Sequence, residues 1–557
     1  MTAAPAAPAA GNGSGTPATK HSPWLILAVL CLGFFMILLD TTIVNIAIPD
    51  MIDKLGASLD EILWILNAYI LVYAVLLITA GRLGDIYGAK RLFILGLVIF
   101  TLASVACGLA RSPEQLIAFR VVQGVGGALL TPQTLSVLTM IFPPERRGAA
   151  FGIWGAVAGV ATIAGPTLGG WLVTNWDWRW IFFVNLPVGI VTLVLALFIM
   201  PDLRLNRRHR LDWLGTGLVT LGLFLLCYGL IEGQSHDWGA AWGPITIPQI
   251  IAAGVVVLAV FVFQQYAQRD KEPLIPFKIF ADRNFTLMNG VVAAIAFGML
   301  GLFLPLIIFL QSVLGLTALQ AGLAVAPMSL ISMFVAPVAG RLSDKTGGKW
   351  VLFFGLTMWV IGLSIVVASS HPDSDRGDLM PGLLVAGLGL GCTFAPLQTI
   401  AMRNIQPQVA GAASGLINTT RQLGAVIGSA AVGALLQNQL VTQLTSAAEE
   451  NAAALPAQFR DQFVEGFKAV GSTGIEVGAG QAGAHLPPGA PQAIVDLALT
   501  TFHEGFTAAM RTTLVLPLIV LAIAALSVLL VRNGGRAVHP SAAAPAAPDT
   551  EPARVEP

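Results

Sequence analysis

Two ionisable side chains stand where nearly every neighbour is apolar. Asp40 lies in "CLGFFMILLDTTIVNIAIP" and Arg120 in "LIAFRVVQGVGGALL". A carboxylic acid withdrawn from water holds its proton more tightly, and a nearby cation loosens that hold. A guanidinium stays charged throughout. Brought together and drawn apart, such a pair is a proton switch: the acid loads on one side of a barrier and releases on the other. No histidine stands centrally in an apolar run, so Asp40 is the leading proton carrier. Arg421, in "GLINTTRQLGAVIG", is a third charge of this kind. It reads either as a cation satisfied by helix carbonyls or Gln422, or as a cavity cation that binds acidic or polar groups. Arg511 reads as a snorkelling side chain, and Glu232 as a solvated helix end or a cation site.

The elements that must position these charges follow from composition. The 557 residues are 55% hydrophobic and 11% charged, with a mean hydropathy of +0.78. A soluble domain carries about 25% charged residues. A formal net charge of zero gives no reason to expect a nucleic-acid partner. Cys31, Cys107, Cys227 and Cys392 each fall in a separate apolar run and read as small buried hydrophobes. No phosphate-binding loop of the G-x-x-x-x-G-K-[ST] type is present, so neither ATP nor another cofactor is expected.

Apolar runs long enough to cross a bilayer occur at 24–49, 61–81, 91–110, 114–141, 148–174, 178–200 and 211–231. They continue at 245–266, 284–313, 318–342, 349–369, 380–403, 409–437 and 506–531. The chain therefore reads as an all-α polytopic membrane protein of fourteen spans. With the N-terminus inside, Lys and Arg concentrate in the inner segments, among them Arg82, Lys90, Arg91 and the run "RLNRRHR" from Arg204 to Arg210. That bias predicts both termini in the cytoplasm. No cleavable signal peptide is apparent, because the first run is too long for one. Residues 1–22 and 532–557 read as disordered cytoplasmic tails. The outer loop 438–505 is long for a plain connection and reads as two amphipathic segments over the outer mouth.

Helix rise places the charges. Asp40 is ten residues before Asp50, about 15 Å from the outer end of span 1. Arg120 is six residues after Glu114, about 9 Å into span 4. The offset of about 6 Å lies within reach of an arginine, so the two are expected to pair and to line one outer-half cavity. A plain structural salt bridge is the alternative.

The chain also repeats itself. "GRLGDIYGAKRL" (81–92) matches "GRLSDKTGGKWV" (340–351), and "RGAAFGIWGAVAGVATIAGPTLGGWL" (147–172) matches "AGAASGLINTTRQLGAVIGSAAVGALL" (410–436). The same features thus recur in the same order. The simplest parsing is a six-helix bundle at 23–200, two extra spans with basic linkers at 201–283, and a second six-helix bundle at 284–531. Duplicated membrane units of this kind rock about a central cavity to give alternating access.

On these residues the chain resembles the fourteen-span drug/proton antiporters of the major facilitator superfamily. "LDTTIVNIAIP" is similar to that family's first-helix signature, "GRLGDIYGAKRL" to its loop between spans 2 and 3, and "LIAFRVVQGVGGA" to its fourth-helix motif. "GVATIAGPTLGGWL" resembles the fifth-helix antiporter motif, and "WRWIFFVNLPVGI" and "GLINTTRQLGAVIG" further family patterns. Ala89 departs from the loop motif, leaving Lys90 and Arg91 to carry its charge. The resemblance implies proton coupling through Asp40 and Arg120. It implies a charge relay among Gly81, Arg82, Asp85 and Arg91, with Arg341 and Asp344 as the second copy. Gly159, Gly165, Gly169 and Gly170, beside the bend at Pro166, are expected on or near one face of span 5, sealing the cavity against the other half; ordinary packing is the alternative. Gly124, Gly126 and Gly127 serve span 4 in a similar way.

Asn45, Trp64, Tyr69, Gln123, Phe303, Met328, Phe394, Asn418 and Arg421 are the candidates for lining a substrate cavity, against a role in packing or facing lipid. One acid against several arginines suits neutral, zwitterionic or acidic amphiphiles. One electrogenic proton is worth about 2.3 kcal/mol per 100 mV and sustains a substrate gradient of roughly a hundredfold. The expected function is export of drugs, antibiotics or other amphiphiles across the bacterial cell membrane by a non-enzymatic antiporter, with a monomer as the working unit. A proton-coupled uptake symporter and a non-transporting or lipid-handling membrane protein are the competing readings.

Overall fold

Lipid offers backbone amides no partner, so an apolar chain of this kind satisfies them within helices. The computed structural model describes residues 21–202, 211–233, 235–269, 271, 273–472 and 492–532. The tails expected at 1–22 and 532–557, save for residues 21, 22 and 532, and the run 204–210 lie outside the described residues. Among the described residues, fourteen helices are long and apolar enough to cross a membrane: Pro23–Ala47, Glu61–Tyr87, Ala89–Gly108, Pro113–Ile141, Pro144–Asn175, Trp180–Ile199, Trp213–Glu232, Ile247–Ala267, Arg283–Val313, Leu319–Thr346, Lys349–Ser369, Arg376–Met402, Pro407–Ala452 and Gln492–Val528. They are numbered here as spans 1 to 14, and each overlaps the run expected from sequence.

Their starts are chemically marked. Ser58 and Glu61 form a capping box before span 2, as do Thr317 and Gln320 before span 10. Proline occupies the first turn of spans 1 and 4. The apolar window of span 4 is 89% buried and that of span 12 is 78%, whereas span 8 reaches only 22%. Spans 4 and 12 are therefore interior elements and span 8 a peripheral one.

The start of span 1 and the end of span 14 lie at one face. Trp24 packs edge-on against Phe142 at the end of span 4, with ring centroids 4.9 Å apart. Asn284 at the start of span 9 donates to the Arg532 carbonyl (3.0 Å). The duplication is visible here in side-chain detail. Lys90 donates to the Leu197 and Met200 carbonyls at the end of span 6, and Lys349 to the Leu529 and Val531 carbonyls at the end of span 14. Each ammonium sits at a helix C-terminus, where the dipole favours a cation.

The opposite face carries the long connection. Span 13 does not stop at residue 437 but runs to Ala452 as part of a 43-residue helix, about 65 Å long and twice a hydrocarbon core. A separate helix, Ala457–Ser472, follows. The second expected amphipathic segment is continuous with span 14, which begins at Gln492. Leu440, Leu444, Ala448 and Ala452 bury one face of the extension, alongside Phe463, Phe467 and Phe506. The Gly/Pro stretch 473–491 lies outside the described residues.

Spans 7 and 8 form a hairpin whose turn carries the two-stranded pairing of Ala240–Trp242 with Ile245–Thr246. Trp64 of span 2 packs against Tyr228 of span 7 at 5.9 Å, and Tyr228 against Trp242 at 5.0 Å. Glu232 is buried and faces His236 at 3.4 Å, so the solvated helix end expected there is not what forms.

Candidate functional site

Asp40 and Arg120 meet. An Arg120 terminal nitrogen donates to Asp40 Oδ2 at 2.5 Å, and the two side chains are 0% and 1% exposed. The surroundings complete the coordination of both charges. Gln123 Nε2 donates to Asp40 Oδ1 (2.7 Å), and Asn185 Nδ2 donates to the same oxygen (3.3 Å). Arg120 Nε donates to the Ile65 carbonyl (3.1 Å), and the guanidinium also reaches Gln123 Oε1 (2.8 Å). Its carbon lies 4.3 Å from the centre of the Tyr69 ring, a cation–π contact in a desolvated setting. Ser104 accepts from Asn185 (3.1 Å) and donates to the Phe182 carbonyl (2.9 Å). Five spans therefore contribute: 1, 2, 3, 4 and 6.

This arrangement changes three expectations. Tyr69 and Gln123 do not line a substrate cavity; both are sealed against the charge pair. The pair itself does not line a cavity either. At 100° per residue, Arg120 and Gln123 lie on the side of span 4 away from Val121, Val122 and Val125. Those valines share a face with Pro132, whose carbonyl accepts from Ser414 of span 13 (2.9 Å), and Val121 and Val122 remain 37% and 47% exposed on the most enclosed span. The valine face is therefore the side of span 4 turned toward the other half, and the charge pair stands behind it. Asn185 and Ser104 escape sequence reasoning because neutral polar residues carry no charge signal; "WRWIFFVNLPVGI" held the only pointer to Asn185.

Asp85 and Asp344 each bond backbone amides of the opposite half. Asp85 accepts from the Gly411 and Ala412 amides (2.8 and 2.9 Å) at the start of the span 13 helix. Asp344 accepts from the Gly148 and Ala149 amides (2.6 and 2.8 Å) at the start of the span 5 helix. Each half thus caps a helix of the other, where orphan amides and the dipole attract a carboxylate. Among the described residues, neither Arg82 nor Arg91 forms an ion pair with Asp85, and Arg341 forms none with Asp344. Arg82 is buried, while Arg91 and Arg341 are exposed.

Arg147 adds a bond from its guanidinium to the Met402 carbonyl (3.2 Å). Together with the Ser414–Pro132 bond, these contacts between the halves all lie toward the face of the termini. Gly81 abuts the Gly411 backbone there, and Gly340 abuts Gly148, leaving no room for a Cβ. The molecule is latched at that face.

The glycines of span 5 divide between two faces. Gly159 faces Ser329 and Met333 of span 10 in the other half, as Pro166 faces Gly322. Gly165 and Gly169 instead face Thr42 and Ile43 of their own half, and Gly170 faces open space. Six residues along a helix turn by about 600°, which separates Gly159 from Gly165 by a third of a turn. Among the remaining cavity candidates, Asn45 is exposed and donates to the Thr41 carbonyl. Trp64 docks span 7, and Met328 is buried with its backbone against Gly387. Phe303 is half-buried against the core. Phe394 lies beside Gly155 across the halves. Asn418 accepts from Arg421 at 3.2 Å. Arg511 is exposed, as a snorkelling side chain requires.

Two six-helix halves, a buried ion pair in one of them and a latch at one face define a membrane transporter. The Major Facilitator Superfamily model matches residues 30–429, and the chain belongs to that superfamily. It is 42% identical over 424 residues to an uncharacterized MFS-type transporter of Mycobacterium tuberculosis, covering 76% of this chain and 72% of that one. It is 35% identical to the probable actinorhodin transporter of Streptomyces coelicolor, over 81% of this chain and 80% of that one. Its fold matches the crystal structure of the human organic anion transporter MFSD10, with a TM-score of 0.58 at 12% identity, covering 90% and 100% of the two chains.

Proposed function

We propose that this protein is a proton-coupled antiporter that exports amphiphilic small molecules, antibiotics among them, across the bacterial cell membrane. The observation that carries the reading is the Asp40–Arg120 pair, wholly buried in one half and contacted by groups from several spans. Spans 1 and 4 belong to the same half, so the switch requires them to shift relative to each other within that half as the two halves rock. That changes the distance between acid and guanidinium, and with it the balance between desolvation and ion pairing that decides whether Asp40 holds a proton. Substrate acts on the valine face of span 4 and the proton on its opposite face, so coupling passes through movement of the helix. The Streptomyces relative named as an actinorhodin transporter supports an antibiotic as cargo.

In this reading the latched face is cytoplasmic, in keeping with its Lys and Arg content, and the described state is closed to the cytoplasm. The proton gradient replaces any cofactor, and one chain is the working unit. The test is substrate-driven proton flux in proteoliposomes. A gradient of an amphiphilic drug drives protons in the opposite direction through the parent, and Asp40→Asn abolishes that flux. Protons moving in the same direction as the drug establish an uptake symporter instead. Flux that survives Asp40→Asn removes the proton site.

A further inference from the structure

The Asp40–Arg120 pair is electrically closed, which leaves one deep charge without a counter-ion. Arg421 stands eleven residues past Ala410, the first residue of its helix, about 16 Å from the latched face. No carboxylate lies within 4 Å of it among the described residues. One terminal nitrogen donates to Asn418 Oδ1 (3.2 Å), and Nε is buried without a partner.

Its direction follows from its neighbours on span 13. Gly411 and Gly415 abut span 2, while Gly424 and Gly428 abut Ala293 and Phe297 of span 9. Between those faces lies an arc that meets span 4, since Ser414 reaches the Pro132 carbonyl. Asn418 is a heptad past Gly411 and Arg421 a heptad before Gly428, each within about 20° of its glycine. Both therefore fall on the arc that looks across the cleft, one and two turns beyond Ser414. Counting outward from the Ser414–Pro132 contact on these antiparallel helices, Ala128 and Leu129 come opposite Asn418 and Val125 opposite Arg421, with the exposed Val121 and Val122 one turn farther out.

A third polar group belongs to the same level. One turn before the Ala293–Gly424 contact, Asn289 of span 9 comes opposite residue 420. Asn289 is 7% exposed and its Oδ1 has no partner. An orphan carbonyl oxygen and an orphan guanidinium N–H thus lie at the same level on neighbouring helices, both shielded from solvent in this state. Buried polar groups left unmet in this way cost free energy until something bonds them.

We propose that Asn289, Asn418 and Arg421 form the head-group site of the transport cleft, and that it takes amphiphiles bearing an acidic oxygen group such as a carboxylate or phenolate. The apolar body rests on the valine face of span 4 while the anion neutralises Arg421. The inference rests on the export reading and adds the charge of the cargo. It also gives the two deep cations different roles, with Arg120 serving the proton and Arg421 the substrate.

The test uses two xanthene dyes of similar ring system and opposite charge, fluorescein and rhodamine 6G, with the full-length protein in lipid nanodiscs. The parent binds fluorescein more tightly, and Arg421→Gln weakens fluorescein at least tenfold without weakening rhodamine 6G. Arg421→Lys restores part of the loss, and Asn289→Ala lowers fluorescein affinity severalfold. Retained rhodamine 6G binding shows that a variant is folded. Unchanged fluorescein affinity in Arg421→Gln, a parent that prefers rhodamine 6G, or a parent that binds neither dye overturns the proposal. A rhodamine 6G gradient that drives Asp40-dependent proton flux while fluorescein fails to bind overturns the anion site and leaves the export reading intact.

Discussion

Asp40→Asn tests the proton site through stability as well as transport. The substitution keeps the side-chain shape and removes the negative charge. Arg120 is then left buried with the Ile65 carbonyl and Gln123 Oε1 as its remaining acceptors, 3.1 and 2.8 Å away. Removing one partner of a buried pair costs about 3–5 kcal/mol, because the surviving charge has lost its compensation. Arg120→Gln strands Asp40 in the same way and costs a similar amount. The double variant Asp40→Asn with Arg120→Gln buries no charge, and its cost is no greater than that of either single change. Thermal unfolding of the purified protein measures all four corners of this cycle. Proton flux in proteoliposomes must not follow the same pattern: it is absent from both variants that lack the acid, although the double variant recovers stability. Additive losses around the cycle, or an Asp40→Asn protein within about 1 kcal/mol of the parent, would show that the two charges do not depend on each other, and the argument for a switch would fall.

Other expectations concern the latch and the surroundings of the pair. Asp344→Asn removes a charge that accepts two amide hydrogen bonds from the start of span 5, each worth about 1.5–3 kcal/mol. The population open at the face of the termini rises, read as faster thiol labelling of a cysteine introduced at that face, and Asp85→Asn does the same. Gly340→Val cannot close against Gly148, so transport falls more than tenfold while the protein stays folded and monodisperse; unaltered transport would mean that the glycine contact is dispensable. Asn185→Ala removes one donor to the Asp40 carboxylate, worth about 1–3 kcal/mol. Proton-coupled flux falls severalfold while the protein stays folded, and unchanged flux would separate Asn185 from the proton site.

How far each feature was legible depended on the kind of physics behind it. The spans could be read because hydrocarbon tolerates little else than apolar helices. The pairing of Asp40 with Arg120, 80 positions apart, could be read because helix rise is constant and charge in lipid needs a partner. The partners of Asp85 could not, since they are backbone amides 326 and 327 residues away, and an amide leaves no mark in a sequence. The division of the span 5 glycines was equally hidden. Their side of the helix follows from spacing, but whether that side meets span 1 or span 10 depends on where those helices lie.

Composition and local order alone thus determined that this chain is a duplicated bundle of fourteen helices with an acid and a base sunk in its first half, because solvent and helix geometry act on every residue without reference to the rest of the fold. Tertiary structure decided which side of span 4 carries the Asp40–Arg120 pair and which turns toward the other half. It also decided that Arg421 is left without a counter-ion and that each half caps a helix of the other. Those outcomes depend on distances between segments hundreds of residues apart, which only the packing of helix against helix sets.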